Sequence, residues 1–383
     1  MEEEYYQEPW DWSPNDNHLV EALSNIRLVA GNSHPTLAKR VAHELGIPLT
    51  DGGVSYFSNS ETRINPDAAP EGTFRGKSVF ILQTGSSDFS DQSIEEFGQH
   101  RGVNDHIIET LLLMDACRRG GCNDITLLIP CYPYARQDKK DTSRAPISAA
   151  VIAKLYESQG VDRIISFDLH NSCIQGLFTD PFRRCSDNLY PTKVLREWLM
   201  NNVFHASKVG DESYTSRFVV IAPDAGAAQK VEKVAGYLGL DFLTMNKARD
   251  YNTKNKVKRI QLQCAPEMLE GRSPQDLLAG RTAVIVDDMA DTCGTVIAAI
   301  DKLMEYGADG CIVAVTHGVL SGPALERIRA CDGLKMVLVS DTLPQERNEE
   351  KCDKIRVYSV AKYLAELIRR TVMQKSFSTL IAE

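Results

Sequence analysis

Short apolar runs rich in β-branched residues recur along the chain. Each leads into a turn of small or polar residues and then into a stretch with helical spacing. The runs are 26–30, 79–83, 125–129, 163–167, 218–222, 282–286, 311–315 and 336–339. Unbroken apolar succession, without polar alternation, marks strands buried on both faces of a parallel sheet. Residues 36–45, 104–119, 147–158, 189–202, 228–238 and 360–371 read as helices; in 104–119 the apolar positions are Ile107, Ile108, Leu111, Leu112 and Met114. Pro146 suits the first turn of the helix after it. Alternating strand and helix predicts parallel sheets covered on both faces. Such units lie on either side of about residue 190, so the expected fold class is α/β, in two similar halves.

Residues 86–102, 205–216 and 265–280 interrupt the alternation and read as loops or insertions. Residues 250–258, with Lys254, Lys256 and Lys258, read as a basic, mobile loop. Residues 1–24 carry six acidic side chains from Glu2 to Asp16 and no Lys or Arg. That acidity predicts a disordered arm, while Tyr5, Tyr6, Trp10 and Trp12 would serve as anchors for a partner.

Composition narrows the class. The 383 residues are 43% hydrophobic and 25% charged, ordinary for a soluble globular protein. The formal net charge of -9 argues against a general nucleic-acid or anionic-membrane surface. No apolar run reaches membrane-spanning length, and the acidic start is neither a secretory signal nor a mitochondrial presequence. The ten cysteines show no CxxC and no zinc spacing, and read as reduced thiols of a cytoplasmic protein.

The candidate chemistry lies where strands end. The run 282–286 meets Asp287 and Asp288; Asp291-Thr292-Cys293-Gly294-Thr295 follows before helical spacing resumes at Val296. In an open α/β sheet, ligands bind beyond the carboxyl ends of strands. A turn with Gly and hydroxyls that runs into a helix N-terminus offers N–H groups and a favourable dipole to an anion. The two carboxylates suit hydroxyl groups or a metal ion instead. A sugar phosphate satisfies both ends. An Asp pair alone is equally the solvated turn of a buried strand, so the specificity lies in the whole run. A second candidate is the polar loop after 125–129, with four cations in nine residues: Arg136, Lys139, Lys140 and Arg144. Against an acidic background this is a local anion site. The run 163–167 ends in Asp168-Leu169-His170. Alternate residues share one side of an extended chain, and a carboxylate with an imidazole binds a metal or positions a phosphate. Asp224 repeats the theme after 218–222.

The run 282–295 resembles the phosphoribosyl pyrophosphate (PRPP) motif of phosphoribosyltransferases and PRPP synthetases. Further matches follow in order at Pro133–Lys140, Ser143–Pro146, Asp168–His170, Pro223–Gly226 and Thr316–Gly318. Together they resemble the phosphate-regulated class of ribose-phosphate diphosphokinases. The resemblance implies two phosphoribosyltransferase-type domains, an ATP-side domain at 25–188 completed by 360–383 and a ribose 5-phosphate domain at 189–359. It assigns ATP contacts to Phe57, Asn59, Glu61, Arg136, Gln137, Asp138 and Lys139. Magnesium falls to His170 and Asp224, and catalysis to Lys247 and Arg249 on a flexible loop. Ribose 5-phosphate falls to Asp287, Asp288, Asp291, Thr292, Cys293, Gly294 and Thr295. A regulatory site for inorganic phosphate, the implied activator, would include Arg75, Arg144, Ser376 and Ser378. The family forms homo-oligomers, usually hexamers built from dimers, and mixed assemblies with paralogous subunits are a further option. Neither a nucleic acid nor a membrane is an implied partner. Ser60, Gly121, Ala227 and Asn246 depart from the family pattern, and 88–102, 183–186 and 264–279 look inserted. The implied reaction moves the diphosphoryl group of ATP to ribose 5-phosphate. A P-loop signature is absent, which excludes that kind of kinase. Two other readings stand beside it, a non-catalytic scaffold subunit and a phosphoribosyltransferase or PRPP-sensing regulator. A scaffold need not keep Lys247, Arg249, His170 and Asp224, and a transferase would not need the Arg136 loop or the Asp168–His170 half.

Overall fold

The computed structural model describes residues 16–66, 73–85, 101–140, 142–178, 185–249, 257–264, 271 and 273–381. The first fifteen residues of the acidic arm, most of 86–102, most of the basic loop 250–258, residues 183 and 184, and 265–270 with 272 lie outside the described residues. The chain divides into two compact units. One comprises residues 1–190, 342–344 and 360–383, the other 191–341 and 345–359.

The first unit is built on β1 (Ile26–Ala30), β2 (Leu49–Asp51), β5 (Ser78–Leu82), β6 (Asp124–Leu128), β7 (Arg163–Phe167) and β8 (Cys185–Leu189). The sheet order is β2-β1-β5-β6-β7-β8, and every pairing is parallel. One face buries Val79, Ile81, Ile125, Leu127 and Ile164 against Leu113, Met114 and Cys117 of α3 (Val103–Arg119) and Ile152 and Tyr156 of α4 (Ser148–Ser158). Each such aliphatic side chain contributes roughly 1.5–3 kcal/mol of transfer free energy. In the same unit Phe167 of β7 meets Tyr363 of α9 (Ala361–Val372) with ring centroids 5.5 Å apart, and α9 packs on α2 (Pro35–Leu45). Helix α2 starts where Pro35 pre-sets φ and His34 Nδ1 accepts from Leu37 N–H at 3.3 Å. It stops at Gly46, whose φ of 69° a residue without Cβ adopts freely.

Two short strands, β3 (Val54–Tyr56) and β4 (Thr62–Ile64), form an antiparallel hairpin in the first unit. The arm read as disordered ends in α1 (Asn17–Ser24) instead. Asp16 caps it by accepting from His18 N–H at 3.0 Å and Leu19 N–H at 3.3 Å, and Leu19 is buried. A good N-cap and one buried anchor outweigh the acidic composition there.

The second unit holds β9 (Phe218–Ala222), β10 (Phe242–Arg249), β11 (Val257–Gln263), β12 (Thr282–Ala290), β13 (Gly310–Gly318), β14 (Leu334–Ser340) and β15 (Ile355–Tyr358). The order is β11-β10-β9-β12-β13-β14-β15, parallel throughout except for the antiparallel pair β10–β11. Val219, Ile221, Ala283, Ile285, Val313 and Val337 form its core with Ala299, Ile300 and Leu303 of α7 (Gly294–Glu305) and Ile328 of α8 (Ala324–Ala330). Helix α5 (Thr192–Leu199) touches α6 (Ala228–Leu238), which packs against β9 and β10. Two expectations change here. Residues 257 and 258 belong to β11 rather than to a loop, and Pro274–Leu278 is a helix inside the stretch read as an insertion.

Candidate active site

In the second unit the strand order reverses direction between β9 and β12: β9 leads to β10 on one side and β12 to β13 on the other. A reversal of this kind opens a crevice at the carboxyl ends of the two strands. Asp287 and Asp288 stand there, but inside β12 rather than after it. Pairing of β12 with β9 stops at Ile285↔Ile221, while pairing with β13 continues to Ala290↔Gly318. The carboxylates therefore ride on a strand that outruns its neighbour. Asp288 N–H donates to Asp287 Oδ1 at 2.9 Å. Burial first, and the Asp288 charge second, push Asp287 up to about 7.

The loop then turns through Cys293, a non-glycine residue at φ 59°, into α7. Thr292 and Thr295 are exposed, and Cys293 is buried. Burial, followed by Asp291, pushes the Cys293 thiol up to about 11, so it is a structural side chain and not a nucleophile at neutral pH. The first turn of α7 thus presents unsatisfied N–H groups beside two exposed hydroxyls, an anion cradle. Two further residues engage this loop that have no local sequence signal. Ser321 donates to Asp291 Oδ1, and Arg327 Nη1 donates to Thr292 O at 2.7 Å. Asp224, after β9, is exposed and accepts from Ala227 N–H at 3.1 Å.

In the first unit the reversal lies between β1 and β5, and it is filled. Gln83 Oε1 accepts from Ser33 Oγ at 2.5 Å; Glu109 Oε1 accepts from Asn32 N–H at 2.5 Å and Gln83 Nε2 at 2.8 Å. Glu109 is fully buried, and burial raises its pKa. The candidate residues collect instead past β6 and β7. Asn171 Nδ2 donates to Asp138 Oδ2 at 2.5 Å, joining the Arg136 loop to the Asp168–His170 loop. Gln137 is bonded by Ser148 Oγ, and its carbonyl accepts Ala149 N–H at 3.2 Å, so α4 anchors the cationic loop. Tyr134, Arg144 and Asp168 have positive φ, at 58°, 65° and 44°. Left-handed non-glycine residues gathered in one region mark a site whose backbone is held by its surroundings.

The alternation read from an extended chain does not apply at Asp168 and His170, because the backbone is not extended there. Asp168 leaves the extended region, and it is buried while His170 is exposed. Leu169 N–H donates to Asn188 Oδ1 at 2.9 Å, which ties this turn to β8.

Phe57, Asn59 and Glu61 all lie on the exposed tip of the β3–β4 hairpin, and Phe57 is 52% exposed. Phe57 N–H donates to Glu61 O at 2.9 Å, closing the tip. Arg136, Gln137 and Lys139 are exposed and Asp138 half-buried. The backbone of Lys247 and Arg249 lies in β10, opposite Ile260 and Val257, not in a loop, with a register shift between Ala248 and Arg249. Their strand pairs with β11 even though the intervening residues are polar, because edge ribbons tolerate charge. Arg75 precedes β5 at the amino edge of the first sheet, whereas Arg144 follows β6 at the carboxyl edge. Ser376 and Ser378 follow α9, with their hydroxyls 2.7 Å apart, and Phe377 packs under the Arg163 guanidinium at the start of β7. One chain therefore places Arg144 apart from the other three. Among the described residues no group of three or more His, Cys, Asp or Glu is arranged to hold a metal ion.

Residues 26–160 match the family described as the N-terminal domain of ribose phosphate pyrophosphokinase, and residues 264–382 match the phosphoribosyl synthetase-associated domain. Among solved structures, phosphoribosylpyrophosphate synthetase from Mycobacterium smegmatis is 33% identical, with 91% of this chain and 99% of that chain aligned at a TM-score of 0.73. Adenine phosphoribosyltransferase from Saccharomyces cerevisiae aligns at 17% identity over 36% of this chain and 72% of that chain, TM-score 0.26. That from Trypanosoma brucei aligns at 16% over 42% and 68%, TM-score 0.28. The family models and the full-length match agree on an α/β enzyme with two phosphoribosyltransferase-type domains, and this chain belongs to the phosphoribosylpyrophosphate synthetase, or ribose-phosphate diphosphokinase, family.

Proposed function

We propose how this chain performs the family's reaction, the transfer of the diphosphoryl group of ATP to ribose 5-phosphate to give PRPP and AMP. The observation that carries the reading is the pair Asp287–Asp288 beside the Thr292–Thr295 turn at the strand reversal of the second unit. The carboxylates accept the ribose hydroxyls, while the N–H groups and hydroxyls of Thr292 to Thr295 take the 5-phosphate. Phe57, Asn59 and Glu61, with Arg136, Gln137, Asp138 and Lys139, hold ATP. The anomeric hydroxyl oxygen attacks the β-phosphorus; the bond to the bridging oxygen breaks, AMP leaves with that oxygen, and the hydroxyl proton is released to solvent. The protein's contribution is positioning and neutralisation of charge. Lys247 and Arg249 stabilise charge on the transferred group.

Magnesium prefers oxygen ligands, which the exposed carboxylate of Asp224 offers; we assign magnesium-binding roles to Asp224 in the second unit and, separately, to His170 in the first. When bound it supplies neutralisation of the phosphate oxygens. We assign regulation by inorganic phosphate to Arg75, Arg144, Ser376 and Ser378, and their separation within one chain fits a site completed between copies. Exposed apolar side chains support self-association: Val151 and Leu155 one turn apart on α4 with Ile147 before it, and, on α3, Ile108 and Leu112. No described helix is long and apolar enough to cross a membrane; we place the chain in the cytoplasm because the nine cysteines whose side chains are described are free thiols.

Calorimetry on Asp287→Asn/Asp288→Asn tests the assignment. Ribose 5-phosphate binding is expected to weaken more than ATP binding. The reverse order would mean that the two sites are exchanged.

A further inference from the structure

We propose that Ser321 and Arg327 are positioning residues for the 5-phosphate, acting through the loop 291–295 and not by touching the substrate. The proposal rests on reading that loop as the ribose 5-phosphate site.

The loop needs support, because Cys293 sits at φ 59°, a conformation that costs a residue with a Cβ and persists only when neighbours enforce it. The segment after β13 supplies the enforcement at three successive points. Leu320 N–H donates to Ala290 O at 3.0 Å; Ser321 Oγ donates to Asp291 Oδ1; Arg327 Nη1 donates to Thr292 O at 2.7 Å. Leu320 is itself buried and left-handed, at φ 47°, so the supporting segment is also held in one shape.

The Arg327 contact does more than hold. The carbonyl of Thr292 and the N–H of Cys293 belong to one planar trans peptide and point in opposite directions. A guanidinium on the carbonyl polarises that peptide, which makes its N–H a stronger donor on the other face. An anion resting on the loop's N–H groups therefore gains from a cation behind the loop. Gly294 eases the approach, since a Cβ there would lie 3.1 Å from Arg327 Nη1 and the guanidinium would have to shift by a few tenths of an ångström. Ser321 complements this by engaging Asp291, the one carboxylate within 291–295, whose charge opposes a phosphate. Neither residue is near the loop in sequence, so the local motif describes only half of the phosphate site.

The test compares Arg327→Ala, Arg327→Lys and Ser321→Ala with Thr295→Val as the reference loop variant. Steady-state constants for both substrates are measured, together with amide hydrogen exchange in 290–296. Arg327→Ala is expected to raise KM for ribose 5-phosphate about tenfold, the scale of one charge-assisted hydrogen bond. KM for ATP stays put, exchange in the loop quickens, and Arg327→Lys recovers most of the loss. A merely structural role would raise both KM values or lower kcat, and would not be rescued by charge. An unchanged KM for ribose 5-phosphate in Arg327→Ala, with a raised one in Thr295→Val, overturns the proposal alone. No change in either variant overturns the reading of the loop itself.

Discussion

Asp288 donates its backbone N–H to Asp287 Oδ1 at 2.9 Å, and this half-buried pair of neighbours cannot hold two full charges alone. With Asp287 pushed up to about 7 by burial and then by Asp288, its acceptor capacity for a ribose hydroxyl grows as pH rises through that value. KM for ribose 5-phosphate is expected to fall between pH 6 and pH 8, and in Asp288→Asn the fall moves to lower pH. The sign for stability is the opposite. A carboxyl whose folded pKa exceeds its unfolded one, about 3.9, loses stability as pH climbs between the two. Asp287→Asn should therefore raise the melting temperature at pH 8 and leave it nearly unchanged at pH 4.

Glu109 carries the same logic in the first unit, away from the chemistry. Its Oε1 accepts two hydrogen bonds, while Oε2 is buried without a hydrogen-bond partner among the described residues, and burial raises the pKa. Stability is thus lost as pH rises above the ordinary carboxylate range. Thermal unfolding of Glu109→Gln across pH 5 to 8 should show a shallower decline than the parent chain. An identical slope would show that Glu109 is ionised throughout.

Phe57 stands 52% exposed at a hairpin tip, where a folding role is small and a stacking role is open. Base stacking on an aromatic ring contributes roughly 1–3 kcal/mol. Phe57→Ala is expected to raise KM for ATP about tenfold or more on that scale, with the melting temperature and KM for ribose 5-phosphate unchanged. Steady-state kinetics read all three against Phe57→Trp, which should retain most of the affinity.

Val151 lies on an exposed apolar stripe with Leu155, one helical turn on. Light scattering on Val151→Glu should report a smaller particle than the parent chain at the same concentration. An unchanged mass would move the self-association surface elsewhere.

How much of this was legible in the sequence follows the depth of burial. Each of the eight apolar runs lies, to within a residue at its end, inside a strand that has only parallel neighbours in the two sheets, because a strand buried on both faces has to be apolar. Strands β2 and β3, three residues each, and the edge strand β11, which mixes Lys258, Arg259, Gln261 and Gln263 with apolar residues, carry no such mark. The arm's terminal helix escaped for a similar reason, since one cap and one buried leucine are weak against a run of acids. At the site, Asp287 and Asp288 were readable from their place near a strand end, though β12 extends further than apolarity alone indicates. Asp168 misled, because a left-handed residue breaks the period-two rule. Ser321 and Arg327 were invisible, lying 30 and 35 positions from the residues they bond.

The most direct test is product formation by the purified full chain alone, supplied with ATP, ribose 5-phosphate, magnesium and inorganic phosphate. AMP and PRPP are expected in equal amounts, with no ADP, and Lys247→Ala is expected to lose most turnover with ribose 5-phosphate still bound. ATP binding without any AMP or PRPP would contradict this, and would mark the chain as a subunit that cannot act by itself.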